Sequence, residues 1–116
     1  MSHKIFEMPV SEVYVHYLNK VKRKDRTEAE LLKVISWLTG FDSKTVKTHL
    51  KMQTTFKEFF KAAKIHPRAK LITGSICGVK IEEIEDPLMK KIRYLDKLVD
   101  ELAKGRPIQK ILRTDS

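Results

Sequence analysis

Residues 34–50 read VISWLTGFDSKTVKTHL, and residues 72–88 read ITGSICGVKIEEIEDPL. Val34, Leu38, Gly40, Phe41, Val46 and Leu50 fall at the same intervals as Ile72, Ile76, Gly78, Val79, Ile84 and Leu88. Each unit describes a helix, a glycine stop, an apolar residue turning inward and a second helix. The step of six from Gly40 to Val46 is also that of DNA-binding helix-turn-helix motifs, whose second helix enters the major groove. The bland counterpart is two helical hairpins packed on each other, with glycine at each corner for geometry alone. That reading takes the larger share, because such hairpins are common in proteins that touch no DNA.

Working outward, Val10, Val13, Tyr14, Tyr17, Leu18 and Val21 recur at the three-and-four spacing of an amphipathic helix with Pro9 at its start. Thr27 and Glu30 have capping-box spacing and open the helix that carries Leu31, Val34, Ile35 and Leu38 to Gly40. Asp42 or Ser43 can cap the next helix, with Val46 and Leu50 inward. Thr55 and Glu58 repeat the box before Phe56, Phe59, Phe60 and Ala63, and His66-Pro67 ends that helix. Three phenylalanines within five residues mark the centre of the core. Asp86-Pro87 opens a long C-terminal helix whose Leu88, Ile92, Leu95, Val99 and Leu102 form one seam up to Gly105. Lys97 to Glu101 and Asp100 to Lys104 are expected as ion pairs along its flank. Residues 107–112 add a helical turn, and Thr114 to Ser116 are expected to fray. The fold expected is therefore all-α: one domain over residues 1–116 of five or six helices, with two helix-turn-helix-like hairpins over 34–50 and 72–88 and the long C-terminal helix.

The chain has 116 residues, 41% hydrophobic and 34% charged, enough for one core and too few for two. Its single cysteine excludes a disulfide framework within the chain and a Cys-rich metal cluster, which argues for a reduced, cytoplasmic protein. No stretch approaches the roughly 20 apolar residues that cross a bilayer, and the first residues lead into no apolar signal core. The formal net charge is +9, with excess in the run Lys20, Lys22, Arg23, Lys24, Arg26 and in residues 53–81, which hold six basic side chains against one acidic. Such a balance favours encounter with polyanions through counterion release. It serves equally as a solvated surface that keeps the chain soluble, and that is the commoner meaning of net charge.

Two binding expectations follow. The second helix of the first unit exposes Lys44, Thr45, Lys47, Thr48 and Lys51, near His49, as donors for phosphates and base edges of DNA or RNA. Lys44, Lys47, Thr48 and Lys51 are the candidate contacts, with phosphate support from Lys20, Lys22, Arg23 and Lys24. No arginine lies in residues 42–52, which weakens guanine readout. In the second unit Glu82, Glu83, Glu85 and Asp86 stand at the equivalent places, where a phosphate backbone would be repelled. The rival expectation is a protein-interaction module, meeting a partner or a second copy of the chain through the Leu88 to Leu102 seam or the acidic patch. A two-heptad seam is far more often a core helix than a coiled coil between chains.

The search for catalytic patterns returns exclusions. There is no glycine-rich phosphate cradle, and His3, His16, His49 and His66 include no pair at helical zinc spacing. His16 reads as a half-buried packing residue, Trp37 as the edge of the core and Cys77 as a buried structural thiol. An enzyme built on Glu82, Glu83 or Tyr94 has no visible nucleophile and base. No enzyme activity, cofactor or metal is expected.

The run Leu71-Ile72-Thr73-Gly74, Cys77-Gly78-Val79, Glu82 through Met89, Ile92 through Leu98 and Asp100 through Gly105, with Arg26-Thr27 and Trp37 through Gly40, resembles the bacterial family catalogued as domain of unknown function 2200. The likeness spans nearly the whole chain, the first helix and the Lys20 to Lys24 run least. It implies a small, mainly helical, stand-alone bacterial protein and brings no activity, cofactor or site residue with it.

Overall fold

The computed structural model describes residues 4–76 and 78–113. After a 3-10 turn at Lys4–Glu7, α1 runs over Val10–Lys22, α2 over Glu28–Thr39, α3 over Ser43–Lys51 and α4 over Phe56–Ala62. A second 3-10 turn, Pro67–Leu71, leads to a hairpin of β1 (Ser75–Ile76) and β2 (Val79–Lys80). A third, Ile81–Glu83, then gives way to α5 over Pro87–Ala103 and the single turn α6 over Ile108–Ile111. The all-α class stands, with six helices and one small antiparallel ribbon among the described residues.

The local signals act where their chemistry places them. Thr27 caps α2 in a complete capping box: its hydroxyl accepts from the Glu30 N–H at 3.2 Å and the Glu30 carboxylate accepts from the Thr27 N–H at 3.0 Å. The Thr27 N–H first, and then the Arg26 guanidinium 2.9 Å away, hold the Glu30 carboxyl below its ordinary range. Gly40 ends α2 at φ +78°, in the left-handed region. Asp42 caps α3, Thr55 caps α4, and Asp86 accepts from the N–H groups of Leu88 and Met89 at 2.9 and 3.0 Å to start α5.

α1, α2 and α3 pack pairwise on one another, and α5 lies against both α1 and α2. Phe56, Phe59 and Phe60 are buried at the centre with Leu31, Ile35, Leu38, Ile92, Leu95 and Leu102. Each such side chain removed from water contributes about 1.5–3 kcal/mol. The α5 seam is an intramolecular one: Ile92, Leu95 and Leu102 are fully buried and Val99 nearly so.

The second half of the repeat differs from the helical hairpin its spacing predicts. Gly74 at φ +100° and Gly78 at φ +80° stand four residues apart, and each breaks the succession of right-handed residues a helix needs. The chain instead pairs Ser75 with Lys80 and Ile76 with Val79. Ile72 and Ile76 still point into the core, but Val79, expected to turn inward, is exposed, its place in the core is taken by Ile81, and Ile84 and Leu88 are half-buried, so the inward spacing survives only in part. Asp100 to Lys104 forms as an ion pair at 3.0 Å, but Lys97 to Glu101 does not. Lys97 Nζ donates to the Ser75 carbonyl at 3.3 Å, and Glu101 turns toward the C-terminal arginines. His16 is exposed rather than half-buried, because its place on α1 faces solvent. The readings of Cys77 and of Thr114 to Ser116 lie outside the described residues.

Candidate nucleic-acid interface

The turn from α2 to α3 is three residues long, Gly40 to Asp42, with glycine first, as helix-turn-helix corners use. The Asp42 carboxylate accepts from the Thr45 N–H at 2.7 Å and, through bonds from Thr45, is held below its ordinary range. α3 buries Val46 and half-buries Thr45, His49 and Leu50, which leaves Ser43, Lys44, Lys47, Thr48 and Lys51 exposed. Steps of three and four put Lys44, Lys47, Thr48 and Lys51 on one stripe. They line an open, shallow depression of about 400 Å³. Among the described residues no carboxylate lies within ion-pair distance of the three lysines.

Two details revise the expected set. The Thr48 hydroxyl donates to the Lys44 carbonyl at 3.0 Å, so in this state it offers an approaching phosphate no hydrogen. His49 turns inward: its Nδ1 lies 3.0 Å from Thr54 Oγ1, and its ring sits 4.9 Å from Phe41 and 5.4 Å from Phe59. It supports α3 from behind.

Lys20, Lys22, Arg23 and Lys24 stand at the other end of α1. The Val10 N–H donates to the Thr54 carbonyl at 2.8 Å, which ties the chain just past α3 to the start of α1. From Val10 to Lys20 the helix rises about 15 Å. The α3 face and the α1–α2 turn are therefore separate contact points. Lys22, Arg23 and Lys24 are exposed there, and Lys20 Nζ reaches Asp100 Oδ1 at 3.3 Å.

The sequence reading did not place the C-terminal cations, which gather at this same end. Lys104 Nζ takes the other oxygen of Asp100 at 3.0 Å, so one carboxylate holds Lys20 and Lys104 together. Arg26 donates to the Arg106 carbonyl at 3.1 Å. Arg106 and Arg113 both reach Oε2 of the buried Glu101, at 3.1 and 2.7 Å. A string of basic residues around Gly105 was the available signal, but nothing in it announced contacts spanning 80 residues.

The acidic stretch is occupied locally. Asp86 caps α5, Glu82 accepts from the Gly74 N–H at 3.1 Å, and Glu83 lies 4.0 Å from Lys80. Bonds from its own backbone and from Gly74 keep the Glu82 carboxyl below its ordinary range. Tyr94 is half-buried on α5, and its phenol is raised by burial alone. Trp37 is half-buried, with its ring stacked 4.3 Å from that of His66. Between α1 and α5 a hollow of about 240 Å³ is lined by His16, Tyr17, Lys20, Ile76, Asp96 and Val99. There the Tyr17 hydroxyl donates to Asp96, which Arg93 meets at 3.2 Å on its other oxygen. Among the described residues no group of three or more His, Cys, Asp and Glu side chains could hold a metal, and no helix is long and apolar enough to cross a membrane.

Among curated proteins nothing matches this chain. It is similar to a solved structure titled "Crystal structure of uncharacterized protein SP1917", with 46% identity over 97% of this chain and 93% of that one and a TM-score of 0.90. The sequence profile of the family described as "Uncharacterized protein conserved in bacteria" matches residues 4–113. With the family profile spanning nearly all of the described fold, the chain belongs to this bacterial family, DUF2200.

Proposed function

We propose that this chain is a cytoplasmic, non-enzymatic protein that binds duplex DNA, with α3 presented to the major groove. The observation that carries the reading is the exposed stripe of Lys44, Lys47 and Lys51, with no carboxylate within ion-pair distance of it among the described residues, on the last helix of the three-helix unit α1–α3. A lysine is a point charge suited to phosphate, and without arginine on α3 the expected binding is tolerant of sequence. The α1–α2 turn would meet the flanking backbone, as the turn between the first two helices of a homeodomain does.

The alternative, a protein-interaction module, has lost its leading surface for self-association, because the α5 seam is filled by the chain's own core. What remains to it is the exposed acidic pair Glu83 and Glu85.

The test is fluorescence anisotropy of a labelled random-sequence duplex against salt. The native chain is expected to give a log-log slope of several units, and Lys47→Glu with Lys51→Glu to weaken binding about tenfold or more and lower the slope by about two. Unchanged affinity in the double variant would remove α3 from the interface.

A further inference from the structure

The end of the molecule where α5 packs on α1 and α6 packs on α5 and α2 carries more positive charge than the α1–α2 turn alone. Lys20 and Lys104 converge on the two oxygens of Asp100, at 3.3 and 3.0 Å. Arg26 bonds the Arg106 carbonyl at 3.1 Å, which fastens the α5–α6 turn to the α1–α2 turn. Behind them Glu101, 7% exposed, holds Arg106 and Arg113 on one oxygen, so the C-terminal turn is fixed to α5 from within. Around this frame Lys22, Arg23, Lys24, Lys104 and Lys110 are exposed.

The geometry points to a second phosphate-binding surface made by two turns: we propose that Lys104 and Arg106 of the α5–α6 turn and Lys110 of α6 grip the DNA backbone together with Lys22, Arg23 and Lys24. Three features favour a backbone over a compact anion. The cations are spread over two chain turns rather than focused on one point, they are mostly lysines on exposed stems, and buried Glu101 fixes the frame while, among the described residues, no carboxylate lies within ion-pair distance of Lys22, Arg23, Lys24 or Lys110. Asp100 is the group a phosphate exchanges with, since the two lysines it holds, Lys20 and Lys104, are themselves exposed. The proposal rests on the reading of the chain as a duplex-binding protein and enlarges its footprint to a segment outside the three-helix unit.

The experiment compares two variants of identical charge change. Lys104→Glu with Lys110→Glu alters the proposed surface. Lys57→Glu with Lys61→Glu alters α4, which packs on the 3-10 turn ahead of α1 at the opposite end. Binding of a labelled random-sequence duplex is expected to weaken at least fivefold more in the first pair than in the second, with the salt slope lower by about two in the first pair only. Equal losses in the two pairs would mean that net charge alone is at work and would overturn the proposal. The milder Lys104→Gln with Lys110→Gln repeats the test without new repulsion at Asp100, and thermal melting checks that each variant is folded. If Lys104→Glu with Lys110→Glu loses binding while Lys47→Glu with Lys51→Glu does not, the two-turn surface holds and the α3 reading fails. If the α3 variant alone loses binding, the reverse is true, and a native chain that binds no duplex at low salt ends both.

Discussion

Gly40 sits at φ +78° with the Lys64 carbonyl oxygen 3.0 Å from the place a β-carbon would occupy. That approach is not incidental, because the Lys64 N–H donates to the Thr39 carbonyl at 2.9 Å and the His66 N–H to the Leu38 carbonyl at 3.0 Å. The segment after α4 thus satisfies the last carbonyls of α2, and only a residue without a side chain lets it come so near. Gly40→Ala must accept a left-handed alanine, costing about 1–2 kcal/mol, and push against a backbone atom that cannot turn aside. A stability loss of about 2 kcal/mol or more in urea unfolding is the expected result. A loss within experimental scatter would show that the α2–α3 corner relaxes freely, and would weaken any reading that needs α3 held at a fixed angle.

At the scale of elements, α5 carries two carboxylates four residues apart whose environments act in opposite directions. Burial raises the Asp96 carboxyl above its ordinary range, outweighing the hydrogen bonds from Tyr17 and Arg93 that pull it down. The folded chain then holds that proton more tightly than the unfolded chain, and the stabilisation present at low pH is lost as pH rises through the folded pKa. For Asp100 burial also pushes upward, but the hydrogen bonds from Lys104 and Lys20 reverse it, and the net shift is down. Its contribution is present above the ordinary carboxylate range and is lost as pH falls through its folded pKa. Between about pH 3 and about pH 7, the native chain should therefore lose stability relative to Asp96→Asn and gain it relative to Asp100→Asn in urea melts. Both differences moving the same way would contradict the assigned environments.

How far the sequence carried the fold also divides by element. α1 through α4 and the start of α5 were legible, because Thr27, Gly40, Asp42, Thr55 and Asp86 each act within a few residues of their own position. Residues 72–83 were misread because a spacing of four between apolar residues can be met by a tight ribbon as well as by a helix. What decided it was the paired left-handed glycines, which spacing does not weigh. The α3 stripe was legible for the same local reason as its cap. The basic end of the molecule was not, since Lys20 with Asp100 and Arg26 with Arg106 are joined only by the packing of α1 along α5.

For the whole molecule, the burial of the α5 seam carries a consequence for assembly. That seam is covered, and among the described residues the exposed large apolar side chains are Val15, Met52, Leu71 and Val79, well separated along the chain. Single exposed apolar residues are normal for a monomer, and a net charge of +9 adds repulsion between copies. Light scattering is expected to give about 13.5 kDa at moderate salt. A stable dimer mass would bring the self-association reading back through some other face. The chain also closes on itself away from its helices. Pro9 bridges Thr55, the Val10 N–H donates to the Thr54 carbonyl at 2.8 Å and the Phe56 N–H to the Met8 carbonyl at 3.1 Å. α1, α2 and α3 thus hang in a loop whose neck is a single antiparallel clasp, with α4 and α5 pressed against it. The clasp joins the two ends of that loop, so in hydrogen exchange the Val10 and Phe56 amides are expected to be protected together with those of the three helices they enclose.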